Sequence, residues 1–238
     1  MPDTPKLSII IPTLNEAGTI ETLLFELRSC QAGDEKDCCE AGVEVVVVDG
    51  GSHDDTIARA RPMASKIIVT APGRARQMNA GAREARGPLL LFLHADTRLP
   101  EGADRLVERA LSGAHCWGRF DIRLEGRHPI LPVIAAAMNL RSRLTGIATG
   151  DQALFMTRDA FDAVGGFPDQ PLMEDIEISC RLKRLSPPAC LRDKVISSGR
   201  RWDQNGAWAT IRLMWQLRWR YWRGASADDL AREYRHVR

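Results

Sequence analysis

Short apolar runs alternate with longer amphipathic segments along the first half of the chain. The runs are rich in valine, isoleucine and leucine and end at proline or polar positions, which is typical of strands buried on both faces of a parallel sheet. The predicted strands cover residues 7–12, 43–48, 66–70 and 89–93. The predicted helices cover residues 17–30, a short segment ending near residue 61, residues 74–86 and residues 100–111. This alternation predicts an α/β fold with a doubly wound, mostly parallel sheet flanked by helices.

The second half of the chain has a less regular pattern. It predicts a long strand or a strand pair at 114–124, a helix at 129–143, a short strand at 153–156, a short helix at 159–164, a helix from 173 to about 184, and a helix at 207–222. We expect one domain over residues 1–198, with a first half at about 1–112 and a second at about 113–198. Residues 199–238 are expected to form a basic, tryptophan-rich helical extension packed on that domain.

The composition is that of an ordinary globular protein, since 44% of the 238 residues are hydrophobic and 27% are charged. The formal net charge of +2 gives no indication of nucleic acid as a partner. The six cysteines include no C-x-x-C pair, which favours free thiols in a reducing cytosol over a zinc site. A signal-peptide pattern is missing, and no apolar run reaches the ~20 residues that a membrane helix needs, so we expect a cytoplasmic protein.

Polar residues follow three of the predicted strands, where ligands bind in doubly wound sheets. These residues are Asn15 and Glu16, Asp49, and Asp96. Asp49 would accept a hydrogen bond from a nucleobase or a ribose hydroxyl, or else would cap the following helix. Asp96 would help to hold Mn²⁺ or Mg²⁺ together with phosphate oxygens, or else would cap the residues that follow it.

Two adjacent acids, Glu174 and Asp175, open a predicted helix shortly after a Gly-Gly-Phe turn at residues 165–167. Acids are favourable near a helix N-terminus, and this alone is a sufficient structural explanation. The functional interpretation is a general base that removes a proton from an acceptor hydroxyl.

Two basic turns are candidates for binding phosphate. Arg74 and Arg76 open a predicted helix, and Arg201 and Trp202 lie in a second basic segment. Guanidinium groups at a helix N-terminus suit a phosphate or a ribose, although either turn is equally compatible with a solvated surface.

Four segments, in this order, resemble family 2 of the glycosyltransferases, which have the GT-A fold. Residues 8–16 (SIIIPTLNE) are similar to the opening strand and P-x-x-N-E turn of that family, and residues 48–56 (VDGGSHDDT) to its D-D-G-S-x-D-x-T segment. Residues 93–96 (LHAD) stand at the place of its D-x-D motif, and the Gly-Gly-Phe turn with Glu174 and Asp175 resembles the elements that hold its base. The resemblance covers residues 6–184, and four motifs in order are far more specific than any one of them.

The resemblance implies a metal-assisted, inverting transfer of a sugar from a UDP- or GDP-type donor to an acceptor hydroxyl. Asp175, beside Glu174, would take the acceptor proton, Asp49 would contact the nucleobase, and Asp96 with His94 would hold Mn²⁺ or Mg²⁺. The implied donor-binding residues are Pro12, Thr13, Asn15, Glu16, Asp49, Gly51, Ser52, Arg74, Arg76, Asn79, His94, Ala95, Asp96, Arg201 and Trp202. The acceptor-side residues are expected to be Gly150, Asp151 and Gln152.

Two positions depart from the family pattern, since His94 replaces the first acid of D-x-D and Gly50 replaces the second acid of D-D-G-S. Residues 73–81 and 93–97 look most like a small bacterial subgroup of arsenosugar-type, radical-SAM-associated transferases. Two other functions stay open. A nucleotidyltransferase would carry a glycine-rich, basic loop after the first strand, whereas residues 13–16 (TLNE) are acidic and lack glycine. A non-catalytic nucleotide-sugar-binding module is the other, because of His94.

The C-terminal extension concentrates tryptophan and arginine on one predicted helix. Its tryptophans at helical spacing share a face, and they are Trp208, Trp215, Trp219 and Trp222. One interpretation is an interfacial helix that makes peripheral contact with the inner face of an anionic membrane. The other, which we favour, is an aromatic face packed on the domain or on a second copy in a homodimer.

Overall fold

The structure is a computed structural model that describes residues 4–31 and 42–236. The strands in this part are β1 (Leu7–Thr13), β2 (Val43–Asp49), β3 (Lys66–Val69), β4 (Leu89–Phe92), β5 (Thr97–Arg98), β6 (Trp117–Glu125), β7 (Leu154–Thr157) and β8 (Ala189–Ser198). The helices are α1 (Ile20–Gln31), α2 (Thr56–Ala60), α3 (Arg74–Glu84), α4 (Ala103–Leu111), α5 (Leu131–Thr145), α6 (Arg158–Ala163), α7 (Glu174–Leu182), α8 (Arg200–Asn205), α9 (Ala207–Trp222) and α10 (Ala227–His236), with a 3₁₀ turn at Gly150–Gln152.

All eight strands of the described residues form one sheet, in the order β3-β2-β1-β4-β7-β6-β8-β5. The first four strands pair in parallel, and β6 is parallel to β8, whereas β7 and β5 run antiparallel to their neighbours. The predicted doubly wound, mostly parallel sheet is therefore confirmed. Since β1 lies between β2 and β4, the strand order reverses beside β1, and a ligand site is expected at the carboxyl ends of β1 and β4.

Alternate side chains of the strands enter two separate cores, one on each face of the sheet. Ile9 and Val47 pack with the apolar faces of α1, α4 and α5, whereas Ile10 and Val48 pack with α3, α6 and α7. This alternation requires both faces to be covered, which explains why the predicted strands are apolar throughout.

Close packing of α3 on the sheet sets the position of the N-terminus of that helix. A Cβ atom on Gly81 would lie 2.4 Å from a methyl carbon of Ile10 and 2.9 Å from one of Val48. Any larger residue at this position would push α3 away from the strands.

Several boundaries differ from the sequence predictions for local reasons. α1 begins at Ile20 rather than at residue 17, since the Thr19 and Ile20 amides both donate to the Glu16 carbonyl in a turn that precedes the helix. α4 begins at Ala103 rather than at residue 100, since Gly102 before it is left-handed, with φ of 64°. Residues 114–124 contain a single strand, β6, rather than a strand pair.

The sequence analysis did not predict β8, because the middle residues of this strand are charged and exposed. The register shows why this charge is tolerated. β6 pairs Phe120 with Leu191 and then Asp121 with Lys194, so Arg192 and Asp193 bulge out of the ladder. The very short β5 was also absent from the sequence predictions, and α8 and α10 lie in the predicted helical extension at 199–238 without having been predicted as separate helices.

The C-terminal helices pack on the domain through aliphatic rather than aromatic residues. Leu217 of α9 and Leu230 of α10 are fully buried against Met173. The tryptophans of α9 are exposed by between 57% and 80%: Trp208, Trp215, Trp219 and Trp222. The prediction that this aromatic face packs on the domain is therefore wrong, because the opposite face of α9 carries the contact. Across the described residues, no helix is long and apolar enough to cross a membrane.

Candidate active site

The loop after β2 is closed around the carboxylate of Asp49, which is fully buried. One oxygen accepts hydrogen bonds from the Thr13 and Ser52 hydroxyls at 3.1 and 2.5 Å, and the other accepts from the Gly51 and Ser52 amides at 2.9 and 2.7 Å. The four bonds compensate for the burial of this charge. They give Asp49 a positioning role, and its contact with a nucleobase stays a prediction.

Asn15 and Glu16, after β1, are tied to the same loop. The Asn15 amide donates to the Ser52 hydroxyl at 2.8 Å, and the Asn15 side chain accepts from the His53 amide at 2.9 Å. The Glu16 amide donates to the Thr56 hydroxyl at 2.8 Å. Asn15 adopts a positive φ of 55°, which asparagine tolerates better than most residues. The loops after β1 and β2 therefore form one hydrogen-bonded rim beside Pro12, which is partly exposed.

Gln77 of α3 is a site residue that the sequence analysis missed. Its buried side-chain amide donates to the carbonyls of Thr13 and Val48, both at 2.8 Å, and so joins the ends of β1 and β2. Gln77 lies within the segment 73–81 that resembles the bacterial subgroup, but that resemblance assigned it no role, and only its position on the buried face of α3 could have suggested the contact.

The segment after β4 contacts the predicted acceptor-side turn. His94 Nδ1 lies 3.1 Å from a carboxylate oxygen of Asp151, and a Cβ atom on Gly150 would lie only 2.6 Å from the His94 ring. Asp96 is partly exposed two residues beyond His94, and its backbone carbonyl accepts from the Ser198 amide at 3.2 Å. The third residue of the turn, Gln152, is buried.

The predicted base lies against this same turn. The Gly150 amide donates to a carboxylate oxygen of Asp175 at 3.0 Å, and the other oxygen accepts from the Ile176 amide at 2.8 Å. Asp175 is partly exposed, whereas the side chain of Glu174 is 4% exposed and lies 3.5 Å from an Arg74 guanidinium nitrogen. Asp175 is therefore partly accessible to solvent, whereas Glu174 is enclosed.

Burial raises the pKa of the Glu174 carboxyl, and the neighbouring Asp175 charge acts in the same direction. The Arg74 and His94 charges oppose this shift without cancelling it. Asp151, Glu174 and Asp175 all act electrostatically on Arg74, so the acids form one cluster at the carboxyl end of β4 with Arg74 beside them.

Other predicted donor-binding residues have protein partners. Arg76 forms an exposed ion pair with Asp169 at 2.8 Å, and the Asn79 amide exchanges two hydrogen bonds with the Phe167 backbone. Trp202 packs on the core that contains α5. The side chain of Arg201 lies outside the described part of the chain. For these residues, contact with a donor stays a prediction.

Two further arginines border the acidic cluster. Arg141 of α5 and Arg218 of α9 are both half-buried, and both interact electrostatically with Asp175. Arg141 gave no sequence signal, while Arg218 was visible only as one of several arginines on a tryptophan-rich helix.

The hydrogen bond of His94 bears on its tautomer. With its proton on Nδ1, His94 donates to Asp151 and keeps a lone pair on Nε2, as a metal-binding histidine does in the carboxylate–histidine–metal pattern. In the described residues, no three His, Cys, Asp or Glu side chains are grouped closely enough to hold a metal. Metal binding by His94 and Asp96 stays a prediction.

Known glycosyltransferases are similar to this chain in sequence. The family model described as glycosyl transferase family 2 matches residues 8–165. A PGL/p-HBAD biosynthesis glycosyltransferase of Mycobacterium bovis is 39% identical over 119 residues, which are 47% of this chain and 43% of that protein. The chain spans less than half the length of the curated relatives it matches.

Solved structures share the fold at low sequence identity. A mannosyltransferase of Pyrobaculum calidifontis, in complex with GDP-Man and Mn²⁺, has a TM-score of 0.60 and 22% identity, covering 83% of this chain and 59% of that one. Glucosyl-3-phosphoglycerate synthase of Mycobacterium tuberculosis, with Mn²⁺, UDP and glucosyl-3-phosphoglycerate, has a TM-score of 0.61 and 22% identity, covering 85% and 75%. The predicted GT-A fold is confirmed, whereas the bacterial subgroup stays a prediction.

Proposed function

We propose a reaction for this chain on the premise that it belongs to glycosyl transferase family 2, whose model matches residues 8–165 of its 238 residues. Membership makes the chain a glycosyltransferase and removes the nucleotidyltransferase alternative. The proposed reaction is the inverting transfer of a sugar from a UDP- or GDP-sugar to an acceptor hydroxyl.

One observation carries the proposal. The Gly150 amide donates to the Asp175 carboxylate at 3.0 Å, and in the same turn Asp151 holds His94 at 3.1 Å. These bonds unite three segments that are far apart in sequence at the carboxyl end of β4. A donor diphosphate at His94 and Asp96 would therefore place its sugar beside Asp175.

Asp175 serves as the general base in this proposal. The acceptor oxygen attacks the anomeric carbon from the face opposite the diphosphate, and the bond between that carbon and the diphosphate oxygen breaks. The acceptor proton passes to a carboxylate oxygen of Asp175, and the nucleoside diphosphate leaves. The Gly150 amide fixes the orientation of the Asp175 carboxylate. Because Asp175 is partly exposed, the acceptor can reach this carboxylate.

Glu174 and Arg74 both support the base. Their 3.5 Å contact keeps a positive charge beside two adjacent acids, and this limits the repulsion that would otherwise protonate one of them. Arg74 is 46% exposed, so it can also contact a donor phosphate.

His94 and Asp96 would hold a Mn²⁺ or Mg²⁺ ion. When bound, this ion would stabilise the negative charge that develops on the departing diphosphate. The chain's own part is to orient the His94 ring, through the hydrogen bond with Asp151 and the close packing of Gly150 against its Cε1–Nε2 edge.

Hydrolysis of donors tests this proposal without knowledge of the acceptor. Purified protein is incubated with UDP-glucose, UDP-N-acetylglucosamine or GDP-mannose, with Mn²⁺, Mg²⁺ or EDTA, and the freed sugar is followed by proton NMR. We expect at least one donor to release sugar whose first-formed anomer is inverted. We expect Asp96→Ala to abolish the part of this release that depends on the metal. The control is Asp159→Ala, an exposed acid of α6. Retained configuration would contradict the inverting reaction, and failure of every nucleotide to bind would contradict the function.

A further inference from the structure

Among the residues that the structure describes, Arg141 lacks the acidic partner that the nearby arginines have. Arg119 and Arg143, from β6 and α5, both form ion pairs with the single carboxylate of Asp121. Arg141 makes no ion pair with any described acid, and its Nη2 atom is buried without a hydrogen-bond partner among the described residues. A buried donor of this kind is costly to leave unpaired, which suggests that a ligand supplies the acceptor.

The backbone around Arg141 fixes its position relative to the proposed base. Asn139 and Ser142, on either side, receive hydrogen bonds from the Gln152 side chain at 3.4 and 3.3 Å. Gln152 belongs to the turn whose Gly150 amide binds Asp175. Arg141 therefore lies on α5, the helix whose side chains hold the turn that binds Asp175.

Arg218 approaches the same place from α9. Its neighbour Leu217 is fully buried against Met173, directly before Glu174 and Asp175. Two nearby arginines are engaged elsewhere, since Arg220 of α9 pairs with Glu233, and Arg223, directly after α9, lies over the Trp219 ring. Arg218 forms no ion pair within the described residues, although it is half-buried.

The two guanidinium groups act on each other across the site. Burial and then the Arg218 charge lower the pKa of Arg141 to about 10, while Asp175 acts in the opposite direction. Burial lowers the pKa of Arg218 as well. Both side chains remain positive at neutral pH. They interact electrostatically with Asp175, and the Arg218 charge acts on Arg141, so an anion bound at the buried, unpaired Nη2 atom of Arg141 would relieve the repulsion between the two arginines.

We propose that Arg141 and Arg218 form a subsite for a phosphate group on the acceptor, next to the hydroxyl that Asp175 deprotonates. Paired guanidinium groups match the oxygens and the dianionic charge of a phosphate monoester. This inference rests on the proposed function, because it assigns the acceptor class of the same site. The phosphate belongs either to a soluble phosphorylated acceptor or to a lipid-linked one, and the exposed tryptophans of α9 do not decide between them.

The test keeps the donor site filled, so that the probe cannot bind there. Protein saturated with Mg²⁺ and the nucleoside diphosphate that it binds best is titrated with glycerol 3-phosphate, glycerol or glycerate by calorimetry. We expect binding of glycerol 3-phosphate, none of glycerol, and weaker binding of glycerate. Arg141→Gln and Arg218→Gln should each lower the affinity for glycerol 3-phosphate by about ten- to a hundredfold, the range for a lost hydrogen bond to a charged group. Arg212→Gln, an exposed arginine of α9, is the matched control.

Arg141→Lys guards against a folding defect, because it keeps the charge and should retain part of the affinity. Vesicles that contain phosphatidic acid, compared with phosphatidylcholine alone, distinguish a lipid-linked phosphate from a soluble one. Equal binding of glycerol and glycerol 3-phosphate would overturn the inference, as would Gln variants that match the wild type. If these variants lose nucleoside diphosphate affinity instead, the arginines serve the donor, and the inference is also overturned. Phosphate binding without any donor hydrolysis would contradict only the proposed function.

Discussion

Replacing Asn79 by alanine tests whether this residue stabilises the fold or binds the donor. The Asn79 amide donates to the Phe167 carbonyl at 2.8 Å and accepts from the Phe167 amide at 2.9 Å. This exchange fastens α3 to the Gly-Gly-Phe turn, which leads into the segment that carries Glu174 and Asp175. Phe167 is 3% exposed, so water has little access to its backbone after the substitution.

The magnitude follows from the two bonds. Each neutral hydrogen bond contributes about 1 kcal/mol, and each backbone group left buried without a partner costs about 1–3 kcal/mol. We therefore expect Asn79→Ala to lower the free energy of unfolding by about 3 kcal/mol. In a protein of this size, 1 kcal/mol corresponds to roughly 2–4 °C, so the Tm should fall by roughly 6–12 °C.

The assay is urea denaturation followed by circular dichroism, together with calorimetric titration of nucleoside diphosphate. Arg83→Ala is the control, because Arg83 is exposed on the same helix and should change stability by no more than about 0.5 kcal/mol. The folded Asn79→Ala protein should bind nucleotide with an affinity well within tenfold of wild type, a factor that represents 1.4 kcal/mol. Unchanged stability with lost nucleotide affinity would refute this reasoning and support donor binding by Asn79.

Two further predictions concern the buried carboxylate of Glu44 and the proposed metal position. Burial acts to raise the pKa of Glu44, but the Arg86 amide, the Ser8 hydroxyl and the Arg86 guanidinium outweigh it and hold the pKa below its usual 4.5. Glu44 therefore stabilises the fold above pH 4.5, and less as the pH falls through its lowered pKa. Glu44→Gln should cost about 1–3 kcal/mol at pH 7, and urea titrations should show that gap shrinking at acidic pH; a constant gap would contradict it. Gly150→Ala would push its Cβ into the His94 ring and should raise the Mn²⁺ concentration needed for donor hydrolysis by about tenfold or more, whereas an unchanged requirement would exclude His94 as a ligand.

The part of the fold with a strong hydrophobic pattern was predictable. The first four strands are apolar because helices cover both faces of the sheet, and that pattern is visible in the sequence. β8 was not predictable, because Arg192 and Asp193 interrupt its pattern and only the bulge opposite β6 explains them. The packing of the tryptophan-rich helix was predicted wrongly for a related reason, because the few aliphatic residues of α9 make its contact with the domain.

The candidate site divides in a similar way. Glu174 and Asp175 were found because a turn motif and a helix start mark them locally. Arg141 and Gln77 were missed, because they reach the site from helices whose partners lie far away in sequence. Contact of the exposed face of α9 with a membrane or with a second copy stays a prediction.

The central claim is that Asp175 removes the acceptor proton, and Asp175→Asn tests it most directly. The substitution keeps the size of the side chain and an oxygen that can accept from Gly150, while Glu177→Gln on the same helix is the matched control. We predict that Asp175→Asn lowers the rate of donor hydrolysis by about 10²–10⁴-fold at saturating donor, with nucleoside diphosphate affinity unchanged and Glu177→Gln near wild type. Turnover of Asp175→Asn close to that of the wild type would contradict the account.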